Sequence, residues 1–135
     1  MDNQEPQEEV QDEKVKTTVI TSSLGMKVFN DLKEKKYFPN ATNAFRFGVA
    51  LAVQKNLDVN PSDKMIDKDG ITWGTLTIDP DGLLRCLVQE IYSPGKELPQ
   101  REAYQLVEFL ADRAAKFLDE QLSSGMTLGQ ILVGE

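Results

Sequence analysis

The chain has no histidine and a single cysteine, and each shortage removes a class of chemistry. Imidazole is the usual general base near neutral pH and the commonest metal ligand, so a histidine-activated serine or cysteine nucleophile is excluded, as is a zinc site built on imidazole. Cys86 has no partner for an internal disulfide. Its setting in "LLRCLVQEIY" is the kind of apolar run in which a buried thiol serves as a small hydrophobe. No stretch approaches the roughly 20 uninterrupted apolar residues of a membrane-spanning helix. The opening "MDNQEPQEEVQDEK" is acidic where a signal peptide is basic and then apolar, so a cytoplasmic protein without a membrane partner is expected. Walker, GxGxxG and GxSxG sequences are also missing, and with them the usual phosphate cradles and nucleophile elbows. No internal repeat is visible.

Carboxylates are plentiful, but they do not assemble a known site. Asp67 and Asp69 in "DKDG", like Asp79 and Asp81 in "DPDG", run into glycine in the manner of tight turns. An EF-hand reading fails for both: with the glycine at the sixth position the first ligand falls on Met65 or Thr77, and the twelfth is Val88 in the second case. No catalytic residue, no metal site and no cofactor are expected.

What the chain does have is an uneven charge. Its net charge of −7 divides into three blocks. Residues 1–12 carry five acids and no base, residues 13–56 carry eight bases against three acids, and residues 57–135 carry fourteen acids against seven bases. The first block has only Met1 and Val10 as sizeable apolar residues, which cannot repay the entropy of ordering, so residues 1–13 read as a disordered acidic tail. Mimicry of nucleic-acid phosphate is the alternative for it. Residues 14–135 are enough for one compact domain.

Along that domain the patterning predicts a mainly α, small α+β fold. "KVKTTVITSS" is β-branched and alternating, an extended arm with Val15, Thr17 and Val19 on one side and Lys16, Thr18 and Ile20 on the other. Ser22 or Ser23 can cap a helix whose apolar face is Leu24, Val28, Phe29 and Leu32. After Pro39, Asn40 or Thr42 can cap a second helix through "NAFRFGVALAVQKNL", completing a helix-turn-helix pair. Between Asn43 and Val53 the only charge is Arg46. A helix apolar nearly all round is buried centrally or at a subunit interface, and in so small a domain the interface is favoured. Phe45, Phe47, Val49 and Leu51 are its candidates, and a homo-oligomer follows. Ile71 to Ile78 is read as a short β segment ending in the Asp79 to Gly82 turn, and "LLRCLVQEIY" as a brief helix. A long amphipathic helix is expected from about Pro99 to Leu122, stopped near Gly125. The closing "MTLGQILVGE" needs a surface to cover it.

The basic block supplies the candidate nucleic-acid contacts: Lys14, Lys16, Lys27, Lys33, Lys35, Lys36 and Arg46, with Lys55 just beyond. Several lie near the ends of the first helix, where one phosphate backbone could meet them. The competing reading is an ordinary solvated helix face. Against it stands the contrast in sign with the rest of the chain.

Extended arm, helix, turn and helix over Val15 to Leu57 is the order of ribbon-helix-helix DNA-binding proteins. In more detail, the run "ITSSLGMKVFNDLKEKKYFPNATNAFRFGVALAVQKNL" resembles the start of DndE, the small DNA-binding component of the bacterial DNA phosphorothioation system. The residues that carry the likeness are Leu32 and Lys33 at the end of the first helix, Pro39 and Asn40 in the turn, then Arg46, Gly48, Ala50 and Leu51. The resemblance implies a compact helical protein that oligomerises and contacts the DNA backbone through lysines, with weak sequence preference, alongside the other proteins of a DNA-modification system. By position those lysines are Lys27, Lys33, Lys35 and Lys36. A ribbon-helix-helix regulator, a protein-interaction module without nucleic acid, and an enzyme remain as alternatives.

Overall fold

The computed structural model describes residues 15–59 and 65–134; Lys14 and the acidic tail lie outside the described residues. Among these the architecture is mainly helical with a small antiparallel sheet, in the order β1 (Thr18–Ile20), α1 (Ser23–Glu34), α2 (Ala41–Gln54), β2 (Thr72–Gly74), α3 (Thr75–Ile78), α4 (Leu83–Tyr92), α5 (Gln100–Ser123) and α6 (Leu128–Val133). Ser22 caps α1 by accepting from the Gly25 N–H, and Asn40 caps α2 by accepting from the Asn43 N–H, each satisfying an amide that a helix start leaves without a partner.

The long helix α5 is the spine. Its inner face buries Ala103, Leu106, Val107, Leu110, Ala114 and Leu118 against α1, α2 and α4. β1 and α1 follow α5 in the same direction: Lys16 meets Gln100, Ile20 meets Glu108, and Lys27 meets Asp119. The turn after α1 therefore lies at the C-terminal end of α5, and Val15 at the other. A helix of 24 residues separates the two ends by about 36 Å.

α2 runs through the middle of the core, and this corrects the expectation that it forms a subunit interface. Phe45, Val49 and Leu51 are fully buried by the chain's own residues; only Phe47 is half-exposed, and it packs on Phe38 at 5.0 Å. Phe45 stands edge-on to Phe29 at 5.8 Å and tilted on Trp73 at 5.1 Å. The three helices approach closely because Gly48 has no side chain; a Cβ there would lie 2.9 Å from the ring of Phe29. An all-round apolar helix is what a helix enclosed by α1, α5 and the β2 tryptophan requires. The exposed large apolar side chains are elsewhere, among them Leu76, Leu83 and Ile91.

The β segment is shorter than the patterning predicts. β1 pairs with β2 from Thr18 opposite Gly74 to Ile20 opposite Thr72. Past Gly74 the Thr75 N–H donates to Thr17 O, and there the partner strand ends. Thr75 to Ile78 then wind into the single turn of α3, closed by the Asp79 N–H donating to Thr75 O. Cys86 is another correction: it is exposed, because α4 turns Leu84 and Val88 into the core and leaves its other sides outside.

Candidate nucleic-acid interface

The turn between α1 and α2 begins as a tight helix stop. Lys35 closes α1, Lys36 takes the left-handed conformation at φ 66°, and the chain reverses. The Lys36 N–H donates to Lys33 O and the Tyr37 N–H to Leu32 O, the paired bonds that satisfy the last carbonyls of a helix. A left-handed backbone costs a residue with a Cβ about 1–2 kcal/mol. Lys36→Gly is therefore expected to raise stability by about 1 kcal/mol while removing one cation. Thermal unfolding checks this, and an unchanged or lowered midpoint counts against it.

On this turn Lys33, Lys35 and Lys36 are exposed, and none forms an ion pair with a described residue. Lys33, Lys36, Tyr37, Phe38 and Pro39 border a shallow cleft of about 540 Å³, with Glu34 the one acid on its rim. Lysines at a helix C-terminus also offset the negative end of its dipole, a structural use worth a few tenths of a kcal/mol that two of the three would satisfy as well as three.

Lys16 and Lys27, and Lys55 as well, have partners within the chain. Lys16 Nζ lies 3.2 Å from Glu108 Oε2, both side chains mostly buried, so this lysine is a structural anchor and not a free DNA contact. Burial pushes the Glu108 carboxyl above the ordinary carboxylate range, although the Lys16 ammonium pulls the other way. Lys27 lies 3.3 Å from Asp31 and 3.8 Å from Asp119. Lys55 donates to Gly134 O at 2.6 Å, tying the end of α2 to the segment after α6. Arg46 is half-buried on α2. Of the seven predicted contacts, Lys33 and Lys36 are brought to one cleft with Tyr37 and Phe38, and Lys35 borders a neighbouring cleft with Lys27, Asp31 and Asp119. Both aromatics stood in "KEKKYFPN", directly after the lysines, as the available signal.

A second cleft, about 380 Å³, lies between Ser22 and Leu24 at the start of α1 and Phe109, Asp112, Arg113 and Lys116 on α5. Asp112 Oδ1 is buried there without a hydrogen bond, while Oδ2 pairs with Lys116 at 3.3 Å. Its lining mixes both charges and apolar groups and singles out no ligand chemistry. No cluster of three or more metal-binding side chains occurs among the described residues. No described helix is long and apolar enough to cross a membrane. Compared with models of known families, with curated proteins and with solved structures, the chain matches none.

Proposed function

We propose that this chain is a non-enzymatic DNA-binding accessory protein, of the kind its N-terminal resemblance to DndE implies, that holds the DNA backbone through Lys33, Lys35 and Lys36. The observation that carries the reading is the segregation of cations within the basic block. Lys16, Lys27 and Lys55 are tied to acids or a carbonyl, whereas Lys33 and Lys36 border one cleft and Lys35 borders a smaller one beside Asp31 and Asp119, all three exposed and without an ion pair to a described residue. Lysine is a compact, strongly hydrated charge suited to phosphate oxygens, and the arginine forks that read guanine are not on this turn, so weak sequence preference goes with it. The enzymes of a DNA sulfur-modification system are the partners this reading implies. Self-association rests on the resemblance alone, since the helix that suggested it is enclosed by the chain's own core.

A ribbon-helix-helix regulator fits less well, because its arm must pair with a twofold mate and enter the major groove. One edge of β1 is taken by β2. The other is covered by α5: Gln100 bonds both the N–H and the carbonyl of Lys16, and Glu108 accepts from the Ile20 N–H.

The test is a salt titration of duplex DNA binding. Each lysine that meets a phosphate releases about one counterion, so Lys33→Ala, Lys35→Ala and Lys36→Ala combined are expected to reduce the slope of log affinity against log salt by about 3, on every sequence alike. Lys27→Ala changes it far less. A triple variant that keeps both affinity and slope sinks the proposal and leaves a protein-interaction module in its place.

A further inference from the structure

We infer that the α1–α2 turn takes unpaired nucleotides, with Tyr37 stacking on a base while Lys33 and Lys36 hold the flanking phosphates; this rests on the nucleic-acid reading and names its ligand class. Tyr37 is 48% exposed at the very point where the chain leaves α1. At this helix stop the Tyr37 N–H bonds the Leu32 carbonyl, and about half of the Tyr37 side chain faces solvent, where a ligand can reach it. Beside it, Phe38 is half-buried and fixed against Phe47, and Pro39 restricts the backbone, so the turn presents Tyr37 from a firm support.

The same cleft is bordered by Lys33 and Lys36. An exposed aromatic face between ammonium groups matches a single strand, whose bases are free to stack and whose phosphates lie alongside them. A continuous duplex matches less well, because its base faces are stacked on one another and only phosphates and groove edges are available. Binding of a duplex needs the lysines alone. Binding of a single strand uses the lysines and the ring together.

The experiment measures the affinity of the full chain for a fluorescein-labelled mixed-sequence oligodeoxyribonucleotide, for the same sequence as a duplex, and for the corresponding RNA strand. One stacked base corresponds to about tenfold in affinity. Tyr37→Ala is expected to weaken single-strand binding about tenfold and duplex binding less than twofold, and Tyr37→Phe to restore the single-strand affinity, since phenylalanine keeps the stacking face. Circular dichroism and thermal melting of both variants check folding. The stack reads no sugar, so binding of either strand supports the site, and the tighter of DNA and RNA identifies its source. Tyr37→Ala that leaves single-strand binding unchanged, or weakens strand and duplex alike, overturns this inference. Loss of binding with the three lysines but not with Tyr37 would keep the backbone-binding function and discard the stack. Failure of every oligonucleotide to bind would discard both.

Discussion

Replacing Glu108 by alanine is expected to destabilise the protein by about 3–5 kcal/mol, the scale of removing one partner of a buried ion pair. Glu108 is 4% exposed, and its Oε2 accepts from the Ile20 N–H at 2.9 Å and faces Lys16 Nζ at 3.2 Å. Alanine leaves an ammonium group and a backbone amide without partners in a mostly dry site. It also uncovers the outer edge of β1, which α5 closes through Glu108 and Gln100. The loss is a large share of the roughly 5–15 kcal/mol that holds a domain of this size folded. Lys16→Met combined with Glu108→Leu is expected to recover most of it, leaving the Ile20 amide as the residual cost of about 1–3 kcal/mol. Chemical denaturation of the single and double variants measures both. The pH dependence has a definite sign. Burial raises the folded-state pKa of Glu108 above the ordinary 4.5, so this carboxyl binds its proton more tightly folded than unfolded. Its contribution to stability is greatest below 4.5 and is lost as pH rises through the raised value. Relative to Glu108→Gln, the wild type therefore gains stability as pH falls from neutral towards 4.5; a wild type that loses stability relative to that variant over this range contradicts the assignment.

That ion pair also marks the limit of what was legible before the fold was known. The alternation of "KVKTTVI" placed Lys16 on the polar side of an arm, where it reads as a free cation, and its partner is 92 positions away on a helix whose own pattern makes Glu108 one more acid. Local periodicity carries no information about such a pairing. It did carry α1 and α5, because each has one apolar stripe at helical spacing and clear ends, Ser22 for α1 and Gly125 for α5. α2 was legible as a helix but not in its placement, since an apolar surface all round suits a core and an interface equally. The strand after Gly70 was overextended for a tertiary reason: Thr75 to Ile78 are good strand formers, but β1 offers only three residues to pair with. Cys86 was misplaced because α4 is apolar on more sides than it buries. For the candidate site, clustering of lysines in sequence did not tell paired cations from unpaired ones: Lys27 meets Asp31 and Asp119, whereas Lys33, Lys35 and Lys36 form no ion pair with a described residue.

The second large effect belongs to Asp79, an acid whose sequence context suggests only a turn. It is 3% exposed. Its Oδ1 accepts from the Leu84 N–H at 2.9 Å, and its Oδ2 from the Arg85 N–H at 3.1 Å and the Tyr104 O–H at 2.8 Å. Gly82, at the N-cap of α4, has no side chain to bond these amides, so a carboxylate from before the turn caps the helix and fastens it to α5 through the phenol. Asp79→Ala removes a helix cap and a buried charge-assisted hydrogen bond together, and is expected to cost about 3 kcal/mol. The phenol supplies an independent readout. Burial, then the hydrogen bond to Asp79 and its negative charge, push the Tyr104 pKa up to about 12. An unfolded tyrosine ionises near 10, so the stability linked to this group is complete below pH 10 and is lost as pH rises from about 10 to about 12. Burial raises Tyr92 as well, so ultraviolet titration should show Tyr104 as the last tyrosine to ionise in the wild type and the same group ionising earlier in Asp79→Ala. Tyr104→Phe leaves Asp79 its two amide bonds and should therefore cost less than Asp79→Ala while abolishing the late transition. A wild type whose tyrosines all titrate near 10, or an Asp79→Ala variant as stable as the wild type, would show that α4 is held to α5 by its apolar face of Leu84 and Val88 alone.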